Sequence, residues 1–481
     1  MKIHLIFIPE KLNLKQIVSN NPPEFDFNFD YAYSLIYQIL KDTTYNLKKI
    51  SDWKAFYESK PVNKYKLRRC STVMQSHWHN YNKYLDYFHK NSILWREPYT
   101  DGVCRKYQLA PKYFCEKVRF YSITDLKVIK IYNPTKVEKN DNPVKEVDFH
   151  PLNKWFSPKL KIDCENAIIG LNESFEETRD WCKYLSRCRA VTEIQNCKYY
   201  FSRKKMTDDR FHSTMTGIPK NIRKHLRYEG KRLGEVDISS SVPFFLYYHL
   251  LSLVDNSGKI KKPSFDTFFK SPRYYSKALK TSKSKVVLDA NEVIKFGEVL
   301  LRGDFYRQFT SHFDEKYYIK NSIKAIKKPF NNSEEDRIAI LKMTMLSVLN
   351  AKNNLYLEEQ DVLKKLYPTI FEFLKVYKTR RYLGKPEKNR LTKLMDISEI
   401  ELNKKFKLHK KVAHLCLQTE SYFMLDVLVR KLNKSYCKIP FFTLHDCIIT
   451  TEENLDFLWD FMSKTFIEAI GFSPNFKSKT F

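Results

Sequence analysis

Two aspartates, each beside a strongly β-prone run, constrain this chain most. Asp237 ends a short strand pattern that starts at Gly234; small polar residues follow it, then an apolar helical segment with Pro243 in its first turn. Asp446 follows His445, and β-prone apolar residues flank this pair on both sides. That arrangement predicts a β-hairpin with the His-Asp pair at its tip. Both acids are therefore expected at the ends of buried strands.

A carboxylate in such a place needs a partner, because a buried unpaired charge costs several kcal/mol. Carboxylate oxygens suit Mg²⁺, with Mn²⁺ as a second possibility. Two aspartates from separate strands can hold two such ions about 3.5–4 Å apart, the arrangement that stabilises the attacking and leaving oxygens in phosphoryl transfer. Asp237 and Asp446 are the metal ligands that this reasoning predicts.

The charge of the chain indicates a polyanionic partner. There are 85 Lys and Arg residues against 55 Asp and Glu, a net charge of +30, which favours nucleic acid through counterion release. The alternative is a chain that is merely lysine-rich. The chain also has 31 Tyr and 35 Phe; most belong to the core, and the others leave faces for base stacking.

No segment predicts a membrane span, since the longest apolar stretch, Val242 to Val254, is short and interrupted by His249. We therefore expect a soluble, cytoplasmic protein. The cysteines are scattered, which fits a reducing compartment, and no CxxC pair is present. A zinc site at Cys182, Cys188 and Cys197 stays open as a minor alternative.

Coarse organisation follows from local patterns. A helix is expected at Tyr31–Lys41, and strands at Val118–Ile123 and Leu126–Tyr132. Lys136–Glu146 has the composition of a linker. The polar stretch Asn256–Lys285 is typical of an exposed insertion, either simply solvated or in contact with a nucleic-acid backbone.

Six segments between residues 200 and 455 resemble, in order and spacing, the family A (DNA polymerase I-type) polymerases and the single-subunit phage-type RNA polymerases. Asp209–Thr214 with Arg223 is similar to their primer-template segment, Asp237 to motif A, and His445-Asp446 to motif C. The other matching segments are Gly303–Tyr306, Arg337 with Lys342–Leu349 (motif B), and Tyr367-Pro368 followed by Gln418–Ser421, which is expected to open an apolar helix.

The resemblance implies an α+β right-hand polymerase. A small antiparallel palm sheet would carry the two aspartates, and helical fingers would span about 255–415 within a catalytic region at 196–481. A mostly helical, basic part at 1–195 would be thumb-like and handle template. The implied reaction is attack of a 3′-hydroxyl on the α-phosphate of a nucleoside triphosphate, with loss of pyrophosphate.

The resemblance also implies roles for single residues. On a helix, Arg337 and Lys342 lie about 500° apart, so both can reach one broad face and bind the triphosphate. Lys342 joins the aspartates in catalysis. The nucleotide would also contact Ile238 and Asn350, with Ile238 completing the metal site. Primer and template would be bound by Arg210, Arg223, His445 and Gln418.

Four positions depart from the family pattern. Motif B ends there in Tyr-Gly, and this chain has Asn350-Ala351; Val242 replaces the glutamate of the DNA enzymes, and Cys447 replaces the residue after His-Asp. DNA versus RNA product therefore stays open, with a slight tilt towards ribonucleotides.

Two other classes of enzyme fit the sequence poorly. A reverse transcriptase needs an apolar strand before its Asp-Asp pair, which Asp208-Asp209 lacks, and an HD phosphohydrolase needs helical flanks around His445-Asp446. A catalytically inactive nucleic-acid-binding relative, or a primase-like or single-subunit RNA polymerase of a mobile element, remain the alternatives to a polymerase.

Overall fold

A computed structural model describes residues 3–47, 67–68, 71–98, 103–132, 150–203, 208–254, 286–326, 328–379, 392–393, 398, 400 and 407–481. The predicted linker Lys136–Glu146 and the polar stretch Asn256–Lys285 lie outside these residues. The fold is α+β, as predicted, and the chain divides into two units. The first contains residues 1–201, 213–233 and 481, and the second contains residues 202–212 and 234–480.

The first unit combines helices with small antiparallel sheets. β1 pairs with β5, β4 lies between β2 and β3, and β9 lies between β6 and the start of β10. Its strands are β1 (His4–Pro9), β2 (Leu67–Arg68), β3 (Leu94–Arg96), β4 (Lys106–Leu109), β5 (Val118–Ile123), β6 (Leu160–Ile162), β9 (Leu226–Tyr228) and the first residues of β10 (Lys231–Ile238). Its helices are α1 (Leu14–Asn20), α2 (Phe29–Leu47), α3 (Ser71–His77), α4 (Tyr81–Lys90), α5 (Leu126–Tyr132), α6 (His150–Asn153), α7 (Cys164–Thr178), α8 (Trp181–Gln195) and α9 (Lys220–Arg223), with a 3₁₀ turn at Thr214–Gly217.

The second unit is mainly helical around one sheet. Its strands are β7 (Phe201–Arg203) and β8 (Phe211–Ser213) at the junction with the first unit, the rest of β10, β11 (Phe441–Leu444), β12 (Cys447–Thr451) and β13 (Phe476–Thr480). Its helices are α10 (Ser241–Val254), α11 (Ala290–Leu301), α12 (Glu315–Ile326), α13 (Glu334–Asn350), α14 (Leu357–Leu366), α15 (Pro368–Thr379), α16 (Lys411–Ser421), α17 (Arg430–Ser435) and α18 (Leu455–Ile470). Three 3₁₀ turns (Arg307–His312, Leu408–Lys410, Glu452–Asn454) and a π-helix (Tyr422–Val429) complete it.

The expected helix at Tyr31–Lys41 and strand at Val118–Ile123 are confirmed. The strand expected at Leu126–Tyr132 is wrong, because this segment is helix α5. Asp125 accepts hydrogen bonds from the main-chain N–H groups of the next turn, and this capping starts a helix. In addition, the two buried residues of the segment are adjacent, whereas a half-buried strand would bury alternate residues.

The expectation that Gln418–Ser421 opens an apolar helix is also wrong. These residues form the last turn of α16, and the chain continues directly into the π-helix. All four are buried, so this turn packs on every side instead of marking an exposed helix start.

The sheet of the second unit is built on β10. β10 pairs antiparallel with β13, with Asp237 opposite Lys477, and its other neighbour is β12 of the β11–β12 hairpin. Gly234 in β10 has no room for a side chain, because an added Cβ would lie 2.7 Å from Leu455 and 2.9 Å from the main-chain oxygen of Lys479. The glycine therefore lets α18 pack closely on this strand.

Helix α10 is buried along most of its length. It packs against α16, where His249 and Thr419 are joined by a 2.8 Å hydrogen bond in the core. Burial lowers the pKa of His249 to about 3, so the ring is neutral. The described helices include none with the length and apolar character that crossing a bilayer demands.

Candidate active site

Strand β10 delivers Asp237 to its end, as the sequence predicted. The strand stops at Ile238, a two-residue turn with Ser240 in the left-handed region (φ 56°) follows, and α10 starts at Ser241 with Pro243 in its first turn. The tight turn separates a buried strand from a buried helix, which leaves the Asp237 carboxylate half-buried between them.

The predicted hairpin with His445-Asp446 at its tip is confirmed. In the β11–β12 hairpin, Phe441 lies opposite Thr450 and Leu444 lies opposite Cys447. His445 adopts a left-handed conformation at the tip (φ 60°). The main-chain N–H of Ile238 donates to the main-chain oxygen of Asp446 over 3.1 Å. This bond places the ends of two strands, and with them the two aspartates, side by side.

The electrostatics of the two carboxylates reflect this closeness. Burial and then the charges of Asp446 and Glu235 together raise the pKa of Asp237 to about 7, although the charge of Lys342 opposes the rise. Burial also raises the pKa of Asp446, while Arg210 and Lys342 oppose the rise. Among the described residues, no side chain forms a hydrogen bond or ion pair with either carboxylate.

A third acid, Glu420, lies at the same place and was not singled out by sequence reasoning. It is fully buried at the end of α16. One carboxylate oxygen accepts from Nε (2.8 Å) and Nη2 (2.6 Å) of Arg210, and the other accepts from Ser241 Oγ (2.5 Å). Burial raises the pKa of Glu420, Arg210 opposes that rise, and Asp446 adds to it.

Glu420 thus fixes the Arg210 guanidinium beside Asp446. The neighbouring Ser421 donates to the main-chain oxygen of Asp209, so two successive residues of α16 hold the segment that carries Arg210. Asp209 itself is buried with a left-handed backbone (φ 52°). The predicted primer-template segment is therefore anchored to the acids by side chains 210 positions away in sequence.

The motif B-like segment forms helix α13, which is capped at both ends. Ser333 accepts from the N–H of Asp336 at the start, and the buried Lys378 donates to the carbonyl oxygens of Val348 and Ala351 at the end. The helix is therefore fixed independently of any ligand.

The predicted nucleotide-binding residues of α13 have different surroundings. Lys342 is exposed, and its charge acts on both aspartates. Arg337 instead bonds to Asn332 Oδ1 and lies 5.3 Å from the ring centroid of Tyr318. The structure therefore brings Lys342, and not Arg337, into the field of the acids. Asn350 ends the helix, and no described residue donates to its buried side-chain oxygen.

The predicted primer-template residues are divided between the units. Gln418 is buried in α16 of the second unit, and the His445 ring lies 5.4 Å edge-to-face from that of His212. Arg223 belongs to the first unit, where its guanidinium lies 5.6 Å from the ring centroid of Phe481. Arg210, Gln418 and His445 thus share a unit with the acids.

Tyr306, in the Gly303–Tyr306 segment, is a further residue of the site to which the sequence assigned no role of its own. It is buried, and both burial and the charge of Asp446 raise its pKa. It lines a small apolar cavity together with Pro243 of α10 and Met345 of α13. The residues that line this cavity come from separate segments of the chain, so a single sequence cannot reveal that they lie together.

The donor set fits a magnesium ion in one respect. Two oxygen-bearing side chains lie together without a described cation bound to them, and their mutual repulsion is what a divalent ion would relieve. Within the described ranges, however, no three His, Cys, Asp or Glu side chains group as metal ligands. The candidate metal ligands at this site are therefore the carboxylates of Asp237 and Asp446 and nearby main-chain oxygens.

Comparisons with known proteins add one structural likeness. No family model and no curated protein matches the chain. Among solved structures, it is similar to the POL domain of Pol1 from M. smegmatis in complex with DNA primer-template and dNTP, at 11% identity and a TM-score of 0.32. The match covers 65% of this chain and 55% of that chain, so the chain spans just over half of that structure. A likeness this low assigns neither a fold nor an activity.

Proposed function

We propose that this protein is a template-directed nucleic-acid polymerase, a nucleotidyltransferase that adds nucleotides to a 3′-hydroxyl. The observation that carries the proposal is that Asp237 and Asp446 lie at adjacent strand ends, where the charge of Asp446 raises the pKa of Asp237. Two half-buried carboxylates without a bound cation from the described chain form a site for hard metal ions.

Asp237 and Asp446, with the main chain at Ile238, would hold Mg²⁺ or Mn²⁺. When bound, such ions lower the charge on the attacking and leaving oxygens of a phosphoryl transfer. In the reaction the primer 3′-hydroxyl attacks the α-phosphate, the bond to the β-phosphate oxygen breaks, and pyrophosphate leaves.

Two cations of the chain have distinct tasks in this proposal. Lys342 is exposed and its charge acts on both aspartates, which supports a role in binding the triphosphate and neutralising the charge that develops on the leaving pyrophosphate. Arg210 uses two of its five N–H groups on Glu420 and keeps the others for the primer or template backbone.

The test is extension of a labelled primer on DNA and RNA templates with Mg²⁺, with dNTPs and NTPs in parallel, and without primer. Asp237→Ala and Asp446→Ala should each abolish product, while Asp361→Ala, at an exposed acid on α14, should not. The preferred nucleotide set would assign the product as DNA or RNA. Absence of product under all conditions, with nucleic-acid binding retained, would refute the polymerase and support the inactive relative.

A further inference from the structure

The first unit carries a row of cations that the proposed chemistry does not use. Lys161 of β6 pairs with Arg227 of β9, and Arg227 pairs with Arg232 of β10. Cross-strand partners lie on the same face of a sheet, so three basic side chains stand directly opposite one another across three strands. Like charges in that relation destabilise a sheet, which points to an anion that compensates them.

The burial pattern fixes which face this is. Leu160 and Ile162 of β6 are buried and Lys161 between them is exposed; Leu226 and Tyr228 of β9 are buried and Arg227 between them is half-buried. The apolar side chains therefore pack inwards, and the cations face outwards.

Neighbouring residues extend the row into a patch, which we call the basic strip. Exposed lysines follow on α9 and directly after it. The strip consists of Lys161, Lys220, Lys224, Arg227 and Arg232.

Four cations of the strip lack an acidic partner among the described residues. No described carboxylate forms an ion pair with Lys161, Lys220, Lys224 or Arg227. The Asp163 carboxylate caps α7 by accepting from the main-chain N–H of Asn166, and a second hydrogen bond, from the Asn166 side-chain amide, is the main cause of its lowered pKa, to which the charge of Arg227 contributes less.

The strip is also held in shape. Nη1 of Arg227 donates to the carbonyl oxygens of Lys224 and Leu226 at 2.8 Å, and Nη2 of Arg232 donates to an oxygen of Phe481 at 2.9 Å. The Arg227 guanidinium is therefore oriented by neutral carbonyl groups that leave its positive charge in place.

We infer that the basic strip binds the phosphate backbone of double-stranded nucleic acid. Its exposed residues carry no aromatic side chain, and Tyr228 packs on the buried face. Single-strand binding relies on aromatic faces for stacking, whereas a duplex offers only backbone and grooves. The inference rests on the proposed function, because the duplex would be the template paired with the growing strand.

The experiment measures binding without chemistry, so that its failure is separate from failure of the polymerase. The full chain is titrated against a labelled blunt duplex without metal or nucleotides, over about 0.05–0.3 M salt. The test variant carries Lys161→Gln, Lys220→Gln and Lys224→Gln. The control carries Lys15→Gln, Lys83→Gln and Lys90→Gln, exposed lysines of α1 and α4 in the same unit.

Removing three phosphate contacts should lower the slope of log K against log salt by about 3 and weaken binding about 10²-fold near 0.15 M salt. The control should retain the slope of the unchanged protein. A second variant, Arg227→Lys with Arg232→Lys, keeps the charge and should also keep the slope.

Equal weakening by the test and control variants would overturn the inference, because net charge alone would then explain binding. Tighter binding of a single strand than of the duplex would overturn it too. Binding to vesicles with anionic lipid but not to the duplex would assign the strip to a membrane surface instead.

Discussion

Replacing Asp237 by asparagine should make the protein more stable above pH 7 in the absence of divalent metal. Asp237 holds its proton more tightly in the folded state, because burial and the nearby acids raise its pKa from 3.8 to about 7. Ionisation of this carboxyl therefore removes stability as the pH rises from about 4 to 7. Asparagine has nearly the same shape and never ionises, so it avoids that loss.

The size of the effect follows from the pKa. At 1.36 kcal/mol per pH unit, a rise from 3.8 to about 7 corresponds to about 4 kcal/mol for a fully buried group. Asp237 is only half-buried, and solvent screening reduces this to about 1–2 kcal/mol. For a unit of this size, that is an increase in Tm of about 3–6 °C.

Thermal unfolding of the wild-type and Asp237→Asn proteins, in chelator and across pH 4–9, measures the difference. The gain in Tm should be small at pH 4, grow towards pH 7 and stay constant above it. Asp361→Asn, at an exposed acid of the same unit, is the matched control and should show no such pH dependence. A Tm for Asp237→Asn that equals or falls below wild type at pH 8 would refute the reasoning.

Divalent metal should reverse the order of stability. If Mg²⁺ or Mn²⁺ binds the folded state as proposed, and not the unfolded chain, the Tm of the wild-type protein should rise with metal concentration above pH 7. Asp237→Asn loses one charged ligand and should respond weakly. A wild-type Tm that is unchanged by both metals would contradict Asp237 and Asp446 as metal ligands.

Three further substitutions test other parts of the site. Arg210→Ala leaves the buried Glu420 carboxylate without its cation and should cost about 3–5 kcal/mol, and adding Glu420→Leu should restore part of the Tm. Gly234→Ala should cost about 1–3 kcal/mol, measured by denaturant unfolding, because the new Cβ meets Leu455 and the main chain of the neighbouring strand. Lys342→Ala should change stability by less than about 0.5 kcal/mol, because the side chain is exposed, yet lower kcat/KM in primer extension about 10²–10³-fold.

The two strand-end aspartates were predictable because each has a strong local pattern. The β-prone runs on both sides of His445-Asp446 predict a hairpin from local sequence alone. The polar turn after Asp237 predicts where β10 ends. The sequence does not state that the two ends are adjacent. That followed only from the ordered resemblance, and the hydrogen bond from Ile238 to Asp446 supplies the geometry.

Two local predictions failed for ordinary reasons. Leu126–Tyr132 is a short apolar run, and such a run fits a strand or a helix equally well until the capping bonds of Asp125 are seen. Gln418–Ser421 is polar by composition, which is typical of a helix start, yet all four residues are buried in the core.

Glu420 lay beyond the reach of sequence reasoning. Its partners, Arg210 and Ser241, are 210 and 179 positions away, and no periodic pattern joins residues at such distances. Nothing in a single sequence distinguishes a buried glutamate paired with arginine from an exposed one on a helix.

The contrast between Glu420 and the two aspartates is the argument for proposing that an external cation binds at this site. Where this chain requires only stability, it supplies the cation itself, as Arg210 does for Glu420. Asp237 and Asp446 are left without such an ion pair among the described residues, although Lys342 is near enough to influence both. A lysine in direct contact would have removed the repulsion that raises their pKa values. Keeping Lys342 exposed instead preserves a carboxylate pair that can take up an exchangeable divalent ion, together with a free ammonium group for the phosphates that such an ion would accompany.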